Sequence, residues 1–373
     1  MELRTILILA EGQLGDLLLL TPAVRSLRAG HPRAEITVVI YQRRLPQRAM
    51  GSPILFHSEG GGTASVMTRH PAVSRVFEVD RSLLRSMSLP RRLRAELSIL
   101  RTLRSYRFDA VLCTFPEDRF SVTAYLSGAR VRAGERGKGL SHLLTVAPAV
   151  TRSTAGVLRY YCTLAEAMGG HAGSPETSYA ATPDAERTVD AWLSSAGLQA
   201  QRYVAIHPGA TGEYKQWPPE RFAGLIGRMQ RAGIPVALCG GTADEAILDA
   251  ITSQLESRVP LLPGVTEVSV LAAFLQRAGV CVTNDSGPRH LAVAVGAPSI
   301  AIFRQHHGTE WAVYEETERC VTLTGKEKCP SCPPDTCLDR IPEGQRHGSF
   351  CLRQIGEEEV LGAVRAMLGA TSP

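Results

Sequence analysis

No stretch of this chain approaches the ~20 consecutive apolar residues that a helix needs to cross a bilayer, so a helical membrane protein is not expected. The start is equally bare of targeting signals. One arginine precedes a short apolar run, residues 5–10, which Glu11 closes without a small-residue cleavage site. That run is too short for a secretory signal, and the expected location is the cytoplasm. The nine cysteines are then expected as thiols or metal ligands, not disulfides. Long polar or low-complexity tracts are missing too. With 44% hydrophobic and 21% charged residues, the composition is that of a globular chain and excludes disorder. The net charge of +5 is mild, and the basic residues are not interleaved with aromatics in any recognised nucleic-acid module, so nucleic acid is not an expected partner. A Gly-x-Gly-x-x-Gly turn is absent where a nucleotide-dependent dehydrogenase would need it.

What the chain does have is alternation. At 373 residues it exceeds one ordinary core, and two domains are the better expectation. Short apolar runs at 5–10, 36–40, 75–79 and 110–113 read as buried parallel strands, with helices at 14–29 and 91–105 between them. The second half repeats the scheme, with strands at 203–206, 235–239, 280–283 and 299–303 and helices at 219–232, 243–255, 268–277 and 286–295. Strand–helix alternation implies parallel sheets with right-handed crossovers. The expected fold class is α/β, two facing Rossmann-like domains with a ligand cleft beyond the strands' carboxyl ends. Gly, Ser, Thr and Pro accumulate at 169–183 and place the boundary there. The expected division is 1–175, 176–355, and a C-terminal helix and tail at 356–373. Residues 58–65, with Gly60-Gly61-Gly62, read as a mobile loop over the first sheet's carboxyl edge.

Several segments carry chemistry. In Thr283-Asn284-Asp285-Ser286-Gly287-Pro288-Arg289-His290 a strand gives way to a helix. Ser286 is a good N-cap, and Pro288 sits in the first turn, where its missing N–H costs nothing. Gly287 allows close backbone approach, so Asp285, Ser286 and Gly287 suit a diphosphate at a helix N-terminus; an ordinary strand-to-helix turn has the same spacing. The segment His207-Pro208-Gly209 through Lys215-Gln216-Trp217-Pro218 delivers Lys215 to the same sheet edge. Lys215 is either a point charge for a leaving phosphate or a solvated loop lysine, and Trp217 is expected in packing. Gly12-Gln13-Leu14-Gly15-Asp16 puts a carboxylate in the first turn of the first helix, as a catalytic group or as a helix-dipole partner. After Cys239-Gly240-Gly241, Glu245 could accept hydrogen bonds from ribose hydroxyls, or Asp244 and Glu245 could simply complement a helix N-terminus. Cys329, Cys332, Cys337 and Cys351 have half of a zinc-knuckle spacing but irregular gaps, leaving a structural metal or packed thiols open.

Taken in order, these segments resemble glycosyltransferase family 9, the ADP-heptose:lipopolysaccharide heptosyltransferases, from Ile6 to Ile355. The resemblance rests on Gly15-Asp16 followed by Leu20-Thr21-Pro22-Ala23-Val24-Arg25, on His207-Pro208-Gly209 through Trp217-Pro218, and on Asn284-Asp285-Ser286-Gly287-Pro288 with His290. It implies the GT-B architecture, an inverting reaction, no cofactor and no catalytic metal. Asp16 matches the family's catalytic aspartate and Lys215 its phosphate-contacting lysine. Glu245 matches the ribose-binding glutamate. Asp285, Ser286 and Gly287 match the loop around diphosphate and sugar, and His290 a histidine in the following helix. The implied donor is a nucleotide sugar, ADP-heptose, and the implied acceptor a hydroxyl on lipopolysaccharide core, with another nucleotide sugar or a small-molecule acceptor as the alternative. Two positions depart from the family pattern: Arg289 stands where Met or Leu is usual, and Phe303-Arg304-Gln305-His306 replaces Phe-Gly-Pro-Thr.

The arginines Arg81, Arg85, Arg91, Arg92, Arg94, Arg101, Arg104 and Arg107 crowd one N-terminal stretch. They form either the solvated face of a helix or a surface for an anionic partner. With the implied acceptor, the second reading expects peripheral contact with the inner face of an anionic membrane.

Overall fold

The computed structural model describes residues 2–42, 54–137, 139–262, 267–304, 308–311, 313–327 and 350–370. Its contacts divide into two units, Met1–Thr177 and Ser178–Pro373. In the first, β1 (Thr5–Glu11), β2 (Glu35–Gln42), β3 (Leu55–His57), β4 (Arg75–Asp80), β5 (Ala110–Cys113) and β6 (Val131–Ala133) form one sheet in the order 3-4-2-1-5-6. All pairings are parallel except that of β3 with β4. In the second, β7 (Val204–His207), β8 (Val236–Cys239), β9 (Leu261–Leu262), β10 (Val280–Asn284), β11 (Ser299–Phe303) and β12 (Cys320–Thr324) form a wholly parallel sheet in the order 12-11-10-7-8-9. Inner strands such as β1 are buried on both faces, which is why they read as continuous apolar runs without alternation.

Each order reverses once. In the first sheet the chain leaves β1 toward β2, then returns to lay β5 on its other side; in the second, β10 returns beside β7. Ligands of open parallel sheets bind where two such crossovers part. The turns after β1 and β5, and those after β7 and β10, are therefore the places the topology marks for chemistry.

The helix Leu14–Gly30 runs through Pro22, which has no N–H to give the carbonyl of Leu18. The Thr21 hydroxyl donates to that carbonyl at 2.7 Å, so the helix continues. In the second unit the terminal helix Glu357–Ala370 packs on the helix Pro219–Arg231. Val360, Leu361, Val364 and Met367 join the core around Trp217 and Phe222, each burial worth roughly 1.5–3 kcal/mol. Glu357 ties the two helices by accepting from Arg221 at 3.2 Å and Arg228 at 3.1 Å. The helix expected as part of a separate tail segment thus belongs to the second unit's core.

Candidate functional site

At the carboxyl edge of the second sheet, Asn284 is the fastener. Fully buried at the end of β10, it donates from Nδ2 to the carbonyl of Pro208 at 2.5 Å. Its Oδ1 accepts from the backbone N–H of Trp217 at 3.0 Å. The two ends of the 207–218 segment are thereby held against the strand, and Lys215 lies on the 3₁₀ turn Glu213–Lys215 between them. Lys215 Nζ stands 4.0 Å from Asp285 Oδ2, and Arg304 Nη2 stands 3.9 Å from the same oxygen. The Arg304 guanidinium lies 4.8 Å over the Tyr214 ring. Two cations thus converge on one buried carboxylate beside the first turn of the helix Gly287–Ala294. Ser286 occupies the N-cap position, but its side chain does not cap; the hydroxyl donates back to the Asn284 carbonyl at 3.4 Å. Pro288 has no N–H and the Arg289 N–H donates to the Ser286 carbonyl at 3.1 Å, which leaves the Gly287 N–H for another acceptor.

His207, at the end of β7, is buried with Nε2 3.6 Å from Asp244 Oδ2. Burial lowers its pKa, against the opposing pull of Asp244. Asp244 also accepts from the Gly241 N–H at 2.9 Å. A Cβ on Gly209 would fall 1.8 Å from Asp244 Oδ1, so only glycine fits there. Glu245, the sequence candidate for ribose, is instead exposed at the first residue of the helix Glu245–Thr252. His290 is buried, with Nδ1 3.0 Å from the Tyr314 hydroxyl. Burial, and then the positive charges of Arg289 and Lys215, push its pKa down to about 3, so its ring is neutral. Arg289 is itself fully buried. Its guanidinium lies 4.7 Å over Phe303 and 5.5 Å over Tyr314, and it donates to Thr322 Oγ1 at 3.0 Å. Trp217 packs edge-on against Phe222, its indole N–H donating to the Ile355 carbonyl at 3.2 Å.

In the first unit Asp16 lies in the first turn of its helix and is buried. Next to it the chain builds an ionic cluster that sequence reasoning missed. Glu11, ending β1, pairs with Arg81, and Arg81 reaches Glu117 beyond β5 at 2.9 Å. Tyr161 has its phenol pKa raised chiefly by burial; Arg152 lowers it, while Asp16 and Glu11 add to the rise. A Cβ on Gly12 would sit 2.2 Å from Gln42 Oε1, which explains the glycine before the helix. Residues 58–65, expected as a mobile loop, instead contain the 3₁₀ turn Gly62–Ala64, pinned by the Thr63 hydroxyl donating to the Gly12 carbonyl at 2.8 Å. Arg81 corrects the expectation of one basic surface: it is buried and doubly paired, because its side chain turns toward Glu11.

Cys329, Cys332 and Cys337 lie outside the described residues, as do Gln305 and His306. Cys113, Cys162, Cys239, Cys281, Cys320 and Cys351 are free thiols. Among the described residues no cluster of His, Cys, Asp or Glu could hold a metal ion, and no helix is long and apolar enough to cross a membrane.

The family model for glycosyltransferase family 9 (heptosyltransferase) matches residues 96–338. Lipopolysaccharide heptosyltransferase 3 of Escherichia coli K12 is 25% identical over 309 residues, covering 81% of this chain and 83% of that protein. Among solved structures, a family 9 glycosyltransferase from Veillonella parvula superposes with a TM-score of 0.79 at 22% identity, covering 100% of this chain and 99% of the other. The E. coli ADP-heptose lps heptosyltransferase II reaches 0.69 at 18% identity, covering 98% and 99%. These likenesses fit the two Rossmann-like units of the GT-B fold. The chain belongs to glycosyltransferase family 9 and is a glycosyltransferase.

Proposed function

We propose that this enzyme moves a heptose from ADP-heptose to a hydroxyl of lipopolysaccharide core, with inversion at the anomeric carbon, at the inner face of the membrane. The observation that carries the reading is the convergence of Lys215 and Arg304 on Asp285 beside the helix Gly287–Ala294. Two cations and a helix N-terminus supply the charge that a departing nucleoside diphosphate needs. The 1–175 segment serves the acceptor and the 176–355 segment the donor. The acceptor hydroxyl attacks the anomeric carbon opposite the diphosphate, and Asp16 takes its proton as general base. Negative charge growing on the leaving diphosphate is met by Lys215 and by the amides of Ser286 and Gly287. His290, kept neutral by burial, can hydrogen-bond without adding a third charge. Glu245, exposed at its helix start, is free to swing onto a ribose hydroxyl.

A second reading, transfer of another nucleotide sugar or to a small-molecule acceptor, draws on one observation. Arg304 puts a buried cation where the resemblance leads one to expect glycine. Mass-spectrometric screening of ADP-, UDP- and GDP-sugars against lipopolysaccharide core decides between the two. The primary reading expects transfer from ADP-heptose, and Asp16→Asn should cut it ~10²-fold or more while ADP binding persists. Near-normal turnover by Asp16→Asn would remove the base assignment. No transfer from ADP-heptose, with transfer from a different sugar, would replace the donor.

A further inference from the structure

The helix Leu89–Ser105 buries little: Ile99 and Leu103 join the core of the first unit, while the side next to them is bare over its first two turns. Leu89, Leu93 and Leu97 are 69%, 55% and 50% exposed. Spaced four residues apart, they form one stripe along the helix, which Arg101 continues. Exposed leucines on a helix solvated on that side have no folding role, and an apolar stripe of this kind marks a contact.

The charge around the stripe says which contact. The helix carries five arginines, at 91, 92, 94, 101 and 104, against one acid, Glu96. Glu96 is drawn back to Arg119 at 3.4 Å. None of the five arginines forms an ion pair among the described residues. A second copy of the chain would bring five arginines against five, which opposes self-association through this face. An anionic lipid surface matches both features. Guanidinium groups pair with phosphate in the headgroup layer, and leucines enter the boundary between headgroups and acyl chains.

We infer that Leu89–Ser105 is a membrane-docking helix that lies in the plane of an anionic leaflet, with Leu89, Leu93 and Leu97 inserted and Arg94 and Arg101, which flank the stripe, on the phosphates. The inference rests on the lipid-linked acceptor proposed above and gives it a surface. The leucines add a component that salt does not screen to the peripheral contact expected from the arginines.

The test uses the purified full chain and floats it with vesicles of phosphatidylcholine alone or mixed with phosphatidylglycerol. The wild type should bind the anionic vesicles and not the neutral ones. Changing Leu89, Leu93 and Leu97 together to Ser should weaken partitioning at least ~10-fold at low and high salt alike. Changing Arg94 and Arg101 to Gln should weaken it by about fivefold per residue at low salt, with little further effect at high salt. All five positions are exposed and outside the transfer machinery, so transfer to a delipidated, water-soluble core acceptor should stay at the wild-type level in both variants. Unchanged partitioning of the leucine variant, or equal binding to neutral vesicles, would overturn the inference. So would a wild-type dimer in sedimentation that the leucine variant dissolves, since that would hand the stripe to a second copy. Loss of transfer to the soluble acceptor by the wild type would instead refute the function, whatever the vesicles show.

Discussion

Asn284 offers the sharpest test of how the proposed donor site is built. Its side chain makes two hydrogen bonds to backbone groups in the 207–218 segment, both out of contact with solvent. Asn284→Ala leaves the Pro208 carbonyl and the Trp217 N–H buried without those partners. Each orphaned group costs roughly 1–3 kcal/mol, so the pair should cost ~2–6 kcal/mol, toward the lower end if a water enters the gap. For a unit of this size one kcal/mol moves Tm by roughly 2–4 °C, which gives an expected fall of ~4–24 °C. The same substitution unfastens the turn that carries Lys215, so ADP affinity measured by calorimetry at a temperature where the variant is folded should fall as well. Ser286→Ala is the control for stability. Its hydroxyl makes one long bond to a neighbouring carbonyl, and its Tm should stay within about 2 °C of the wild type. A Tm for Asn284→Ala as close as that, with unchanged ADP affinity, would refute the idea that this side chain fastens the site.

Lys215→Met and Arg304→Met should each lower kcat/KM by ~10–10²-fold, below the ~4 kcal/mol of a charge pair at 4 Å in an effective dielectric of ~20, because Asp285 already offsets part of each charge; steady-state kinetics with ADP-heptose that show no loss would detach these cations from the donor. Gly209→Ala should drive a Cβ into Asp244 and separate it from His207, costing ~1–3 kcal/mol as overpacking does; a melting temperature equal to the wild type would mean that the loop simply moves aside. Acid should destabilise the fold in a defined window. His70 is held near 4 by burial, then by Arg25, and His290 near 3, while each takes up a proton below ~6.5 once unfolded. The unfolded state therefore binds more protons as pH drops, and stability should be lost from about 6.5 downward by up to ~1.4 kcal/mol per pH unit per histidine. Urea melts at about pH 7 and 5 measure this, and a midpoint independent of pH across that range would refute it.

Much of the architecture was legible because its strands are buried on both faces and so spell apolar runs. The runs expected at 110–113 and 299–303 coincide with β5 and β11, and the others shift by one or two residues at their ends. The strands left unread were β3, β6, β9 and β12. Each is two to five residues long and lies at or next to a sheet edge, where pairing, not side-chain pattern, makes the strand. Ser286 shows a different limit. Its place before a helix was readable, but the direction of its hydroxyl depends on the backbone angle there, which propensity does not encode.

The site divides along the same line. Asp16, Lys215 and Asp285 through Gly287 were legible because each follows a strand closely, and the strand's carboxyl end fixes where it goes. Glu11, Arg81 and Glu117 were not, since Glu11 and Arg81 are 70 residues apart and Arg81 and Glu117 are 36 apart; only the sheet order 4-2-1-5 brings their elements together. Arg304 was visible as a departure, yet its meaning comes from Asp285 and Tyr214, which β10 and the 207–218 segment deliver. A local motif names the chemistry a turn can do, whereas the partners that tune it are assigned by topology. Both units bear this out at the same place, the reversal beside β1 in one sheet and beside β7 in the other. There two crossovers diverge and leave the strand ends uncovered, so a charged group can be buried against a neighbour far away in sequence and still meet a ligand.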